Sequence, residues 1–168
     1  SYKPLTIASG VHAAAGATPG KTAIREGERT LSYVALRRRI RQVTGGVIDG
    51  LGLQRGDHVA ILSPNCLSYV EIVCGAASAG VAVATLNPRL ISDEIAFICD
   101  DCGARALFVA PALAELVRDI TFQTVTEIIV LDDRYEVWLA GAREAAEHAI
   151  QEWDPFTIPY TAGTTGKP

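Results

Sequence analysis

The sequence has no excess of positive charge and few aromatic residues. Its 15 Lys and Arg stand against 19 Asp and Glu, a net charge of −4, and aromatics make up 7% of its 168 residues. A nucleic-acid binder needs a basic face with stacking rings, so that class is excluded. No apolar run is long enough to span a bilayer, because each is broken early by charges or glycines. At the start, no charged stretch precedes an apolar one, so the pattern of a secretory signal is not visible. Low-complexity linkers and internal repeats are missing too. Cysteine is sparse: Cys66, Cys74, Cys99 and Cys102 are too few for a disulfide scaffold in a chain with this much core material, and a reducing cytoplasm is expected.

What is present is apolar material, 49% of the residues, in short runs. One domain with a substantial core is expected. Thr6 to Ala17 is Ala-rich and reads as a helix. Thr22–Arg25 and Thr30–Leu31 read as strands around the turn residues Glu26-Gly27-Glu28. Ser32 is placed to cap a helix whose apolar face is Leu36, Ile40, Val43 and Val47, spaced by four, three and four. Arg37, Arg38, Arg39 and Arg41 fall mostly off that face. An anion or RNA site is one reading of them, but a solvated helix surface is preferred because nothing aromatic is interleaved. Gly50 and Gly52 mark the stop.

Strands and helices then alternate. His58–Leu62, Val81–Thr85, Ala106–Val109 and Glu127–Leu131 are short apolar strands. Between them come helices opening at Pro64-Asn65 and at Ser92, the latter with Ile91, Ile95, Ile98 and Cys102 on its inner face, and one near Leu113–Arg118. A further helix is predicted over Trp138–Ile150. This order implies an α/β fold with a mostly parallel sheet flanked by helices. The pair Cys99/Cys102 lacks a second pair for zinc and sits at a helix C-terminus beside carboxylates, so packing is preferred over metal or redox chemistry. His12, His58 and His148 share no ligand spacing.

The chemistry lies in the final segment, where a short strand runs into Tyr160-Thr161-Ala162-Gly163-Thr164-Thr165-Gly166-Lys167-Pro168. Glycines let backbone N–H groups approach an anion, Thr hydroxyls donate, and Lys167 adds charge, which suits a polyphosphate. A Walker A loop is ruled out: two residues separate Gly163 from Gly166, and Pro168 stands where a metal-binding Ser or Thr belongs. A ligand-free surface loop remains the alternative on composition alone.

This segment resembles the phosphate-binding signature of the adenylate-forming superfamily, which includes acyl-CoA and aryl-CoA synthetases. Upstream, Leu31-Ser32-Tyr33, the block from Gly56 to Asn65 and the block from Gly80 to Leu90 with Asn87-Pro88-Arg89-Leu90 are similar to the family's segments, in the same order. Asn87 is more like CoA ligases than peptide-synthetase adenylation domains, and Ala162 stands where Ser is commoner.

The resemblance implies that residues 1–168 are the early part of a large N-terminal domain. The parent would use ATP, Mg²⁺ and CoA to activate a fatty or aryl carboxylic acid through an acyl-AMP. Thr161, Ala162, Gly163, Thr164, Thr165, Gly166 and Lys167 would hold the β- and γ-phosphates, with Thr161 reaching Mg²⁺. Catalytic residues are expected beyond position 168, so the 168 residues alone are expected to be inactive. The other readings are a truncated, self-associating interaction module and a peptide-synthetase adenylation domain.

Overall fold

The computed structural model describes residues 5–148 and 150–160. After helix α1 (Ser9–Ala17), strands β1 (Thr22–Glu26) and β2 (Arg29–Ser32) form an antiparallel hairpin. Its two-residue turn places Gly27 at φ 56°, a conformation open to glycine at no steric cost. Ser32 caps α2 (Tyr33–Gly45), accepting from the Ala35 N–H at 3.3 Å. Leu36, Ile40, Val43 and Val47 are all buried, as their spacing predicts.

Among the described residues the main sheet has five strands, all parallel, in the order β6-β5-β3-β4-β7. They are β3 (His58–Leu62), β4 (Ala82–Leu86), β5 (Ala104–Val109), β6 (Glu127–Val130) and β7 (Thr157–Pro159). Helices α3 (Leu67–Ser78), α4 (Ser92–Asp101), α5 (Ala114–Val117) and α6 (Asp133–Ala140) connect them. Successive strand residues point to opposite faces. Val59 and Ile61 therefore enter one core, with Ile72 and Ala76 of α3 and Tyr135 and Leu139 of α6. Ala60 and Leu62 enter the other, with Ile95 and Ile98 of α4 and Val117 of α5. Helices on both faces are why the strands are apolar throughout.

Helices α2 and α3 touch backbone to backbone. A Cβ on Gly75 would stand 2.4 Å from the Val43 Cβ and 2.8 Å from the Ile40 carbonyl oxygen. The buried Thr44 hydroxyl donates to the Gly75 carbonyl at 2.8 Å and locks the crossing. Alanine at 75 gains about 1 kcal/mol of helix propensity. That is outweighed by overpacking of about 1–3 kcal/mol, since a backbone oxygen cannot rotate away. Gly75→Ala is expected to lower the thermal midpoint and Gly75→Val to lower it further, measured by circular dichroism.

Several expectations need correction. The helix predicted over Trp138–Ile150 is instead α6, Asp133–Ala140, started by Asp132, whose carboxylate accepts from the Arg134 N–H at 2.9 Å. Beyond Gly141 the backbone finds distant partners: Ala145 N–H donates to the Arg41 carbonyl and His148 N–H to the Ser78 carbonyl, both at 2.9 Å. Those bonds replace the i to i−4 ladder. Helix α3 opens at Leu67, not at Pro64-Asn65, with Leu67 N–H donating to the Glu26 carboxylate at 3.1 Å. Ile91 precedes α4, out of its phase, and is exposed.

Arg39 is not part of a solvated surface. It lies between the fully buried Glu71 and the half-exposed Glu136, bonding both carboxylates. The Arg39 Nε donates to Glu71 at 2.5 Å, and the Tyr135 hydroxyl donates to the other Glu71 oxygen at 2.8 Å. Burial alone would pull the guanidinium down, but hydrogen bonds to Glu136 and Glu71 outweigh it and hold the pKa above the ordinary value.

All four thiols are free. Burial pushes the Cys74 thiol up to about 11 and, with Cys102 and Asp100 nearby, the Cys99 thiol up to about 12. The thiolate is the reactive form. Cys74 and Cys99 are expected to resist iodoacetamide at pH 8 in the folded protein and to react once it is unfolded, read by peptide mass spectrometry.

Candidate functional site

Strands β3 and β4 are neighbours, yet their chains leave the sheet toward opposite faces. From β3 the chain passes through Ser63-Pro64-Asn65 into α3; from β4 it passes through Asn87-Pro88 into α4. Such a parting at the carboxyl ends of parallel strands opens a crevice, the usual ligand position in open α/β sheets. Here it is a cleft of about 410 Å³, lined by Ser63, Pro64, Asn65, Tyr69, Thr85 to Pro88, and Tyr160.

The third wall comes from β7. It pairs with β4 in parallel, Thr85 opposite Pro159, so Tyr160 emerges at the mouth of the same crevice. The Tyr160 hydroxyl donates to Asp101 at 2.6 Å. Burial, reinforced by that bond, pushes the phenol well above its ordinary range. On the β4 side, the Asn87 side-chain oxygen accepts from the Arg89 N–H at 3.0 Å, and Leu90 N–H returns to the Asn87 carbonyl at 3.1 Å. That turn holds Asn87 and Pro88 at the rim. Burial raises the Tyr69 phenol, and a hydrogen bond with Thr85 partly offsets it.

Among the described residues the lining is hydroxyl, amide and apolar, with no charged side chain. These groups can orient a polar ligand but do not themselves neutralise a polyanion. The residues singled out for that task, Thr161 to Lys167, lie outside the described residues. Of the lining groups, Ser63 to Asn65 and Thr85 to Pro88 lay within the family-like blocks and Tyr160 opens the final segment, while Tyr69 lay outside them. None of Ser63, Tyr69 and Thr85 was singled out as a site residue, though a position just after or at the end of a buried strand is the signal that finds Ser63 and Thr85.

A family model described as AMP-binding enzyme matches residues 11–168. The chain is 30% identical over 142 residues to the fatty acid–[acyl-carrier-protein] ligase ScoC of Streptomyces coeruleorubidus, covering 83% of this chain and 27% of that protein. It is 33% identical over 148 residues to a long-chain-fatty-acid–CoA ligase of Thermus thermophilus, covering 82% and 26%. The crystal structure of the N-terminal domain of FACL13 from Mycobacterium tuberculosis superposes with a TM-score of 0.84 at 25% identity, covering 96% of this chain and 42% of that one. The chain thus spans about a quarter of the length of these two curated relatives. A parallel sheet opening at its β3–β4 edge, followed by a Gly/Thr segment with lysine, is matched along nearly its whole length, and the chain belongs to the AMP-binding enzyme family.

Proposed function

We propose that residues 1–168 form the early part of the N-terminal domain of a carboxylic acid–CoA ligase, and that Thr161 to Lys167 grip the pyrophosphate half of ATP. The observation that carries this reading is the register of β7, which brings the chain to the β3–β4 crevice one residue before Thr161. Among the described residues the crevice supplies neutral hydrogen-bonding groups, and in this reading the cation comes from the segment that follows, where Lys167 stands.

In this reading a carboxylate attacks the α-phosphorus of ATP, pyrophosphate departs, and the thiol of CoA then displaces AMP. The backbone N–H groups of Gly163 and Gly166 and the hydroxyls of Thr164 and Thr165 orient the β- and γ-phosphates. Lys167 neutralises charge as it builds on the leaving pyrophosphate, a contribution of positioning and electrostatics rather than covalent chemistry. Bound Mg²⁺ would supply further neutralisation, with Thr161 as its protein oxygen. Asn87 favours a CoA ligase over a peptide-synthetase adenylation domain, similarity to fatty-acid and aryl-acid ligases supports those acids as the substrate classes, and the cytoplasm is the proposed compartment.

ATP–pyrophosphate exchange by the complete enzyme, across a panel of fatty and aromatic acids, tests this. Acid-dependent exchange is expected with at least one of the two classes. Exchange supported by amino acids alone would favour a peptide-synthetase adenylation domain, and no exchange with any acid would remove the reading.

A second reading, self-association of the 168-residue chain, is favoured by Trp153 and Phe156, which lie exposed just before β7. Sedimentation at high concentration decides it: a clean monomer removes it.

A further inference from the structure

The arginines of α2 divide into two groups. Arg39 is committed to Glu71 and Glu136. Arg37, Arg38 and Arg41 instead line a groove between α2 and α6, of about 600 Å³, with Val34, Leu139 and Ala140 as its apolar wall. Besides Glu136, which bonds Arg39, the groove's carboxylate is Glu144, 3.7 Å from the Arg38 Nε and 4.0 Å from the Arg41 Nε, both beyond hydrogen-bond length. Glu147, on the far side of Arg37 and Arg41, pairs with His12. The Arg41 Nε is shielded from solvent and has no hydrogen-bond partner. Arg37 makes no ion pair among the described residues. A buried donor without an acceptor is costly unless something supplies one.

Arg39 and Glu136 also line the groove, so four guanidiniums face two carboxylates and two positive charges are left in excess, on a chain whose net charge is −4. A guanidinium fork matches phosphate oxygens in pairs, and a phosphomonoester near neutral pH carries close to two negative charges. The groove is larger than a phosphate, and its apolar wall suits the organic group attached to one. We propose that Arg37, Arg38 and Arg41 form a binding site for the phosphate of a small organic phosphomonoester, with Glu144 as the internal competitor that such a ligand displaces. This inference does not rest on the nucleotide reading of the β3–β4 crevice.

Phenyl phosphate and inorganic phosphate, titrated by calorimetry and by amide NMR, test the proposal on a Lys167→Ala background that removes the cation of the other anion site. Saturable binding is expected, tighter for phenyl phosphate, with shifts at Ala35, Leu139 and Ala140. Arg41→Gln should weaken binding about tenfold, as loss of a charge-assisted hydrogen bond does. Glu144→Gln should tighten it severalfold, an opposite change that loss of folding would not produce. Arg118→Ala, on another surface, should leave it unchanged. Absence of saturation at millimolar ligand, equal weakening by Arg118→Ala, or weaker binding in Glu144→Gln would overturn the proposal. Binding confined to phosphatidic acid vesicles, with neither soluble phosphate bound, would also overturn it.

Discussion

Arg39→Ala is expected to destabilise the protein by about 3–5 kcal/mol, read as a lower urea midpoint at unchanged slope. The reason is what remains behind. Glu71 is fully buried, and without Arg39 its carboxylate keeps, among the described residues, only the Tyr135 hydroxyl as a hydrogen-bond partner. Arg37→Ala, two residues away on the same helix, is expected to change stability by no more than about 0.5 kcal/mol. Replacing Arg39 and Glu71 together with apolar residues of similar volume should recover much of the loss, because the stranded charge goes too. The effect also has a pH signature. Hydrogen bonding to Arg39 holds the Glu136 carboxyl below its usual range. A carboxylate with a lowered folded pKa contributes stability that is present above its unfolded value and lost as pH falls through the folded one. The gap between the native protein and Arg39→Ala should therefore narrow as the pH drops through the carboxylate range. A gap that widened on acidification would contradict this.

Lys167→Ala in the complete enzyme is expected to slow ATP–pyrophosphate exchange about a hundredfold or more, the scale seen when one preorganised charge-stabilising donor is removed. Among the described residues the crevice lining holds no charged side chain to take over. Thr164→Ala should cost less, since it removes one hydroxyl and leaves the backbone N–H. Lys167→Arg should restore part of the rate, because it returns the charge with altered geometry. If Lys167→Ala exchanged at the native rate, the phosphate role of this segment would be lost.

The sheet was legible because its strands are buried on both faces. His58–Leu62 is apolar nearly throughout, and only a strand covered by helices above and below carries that pattern. The α2 face was legible from a single period. What could not be read were features whose partners lie far along the chain. Glu71 is 32 residues from Arg39 and Glu136 is 97, so no local pattern separates Arg39 from Arg37 or Arg38. The stretch after Gly141 has helical composition, but its N–H groups bond to the ends of α2 and α3, and tertiary partners override local propensity. The crevice was half legible. Glycines, threonines and a lysine announce a phosphate loop, whereas Ser63, Tyr69 and Thr85 meet Tyr160 only because β7 docks beside β4.

Hydrogen–deuterium exchange on the complete enzyme, with and without ATP and Mg²⁺, addresses the nucleotide grip most directly. Slowed exchange is predicted across Thr161–Lys167 and at the facing rims, residues 63–69 and 85–89, with the effect abolished by Lys167→Ala. Nucleotide-dependent slowing that spares Thr161–Lys167, or that persists unchanged in Lys167→Ala, would contradict it.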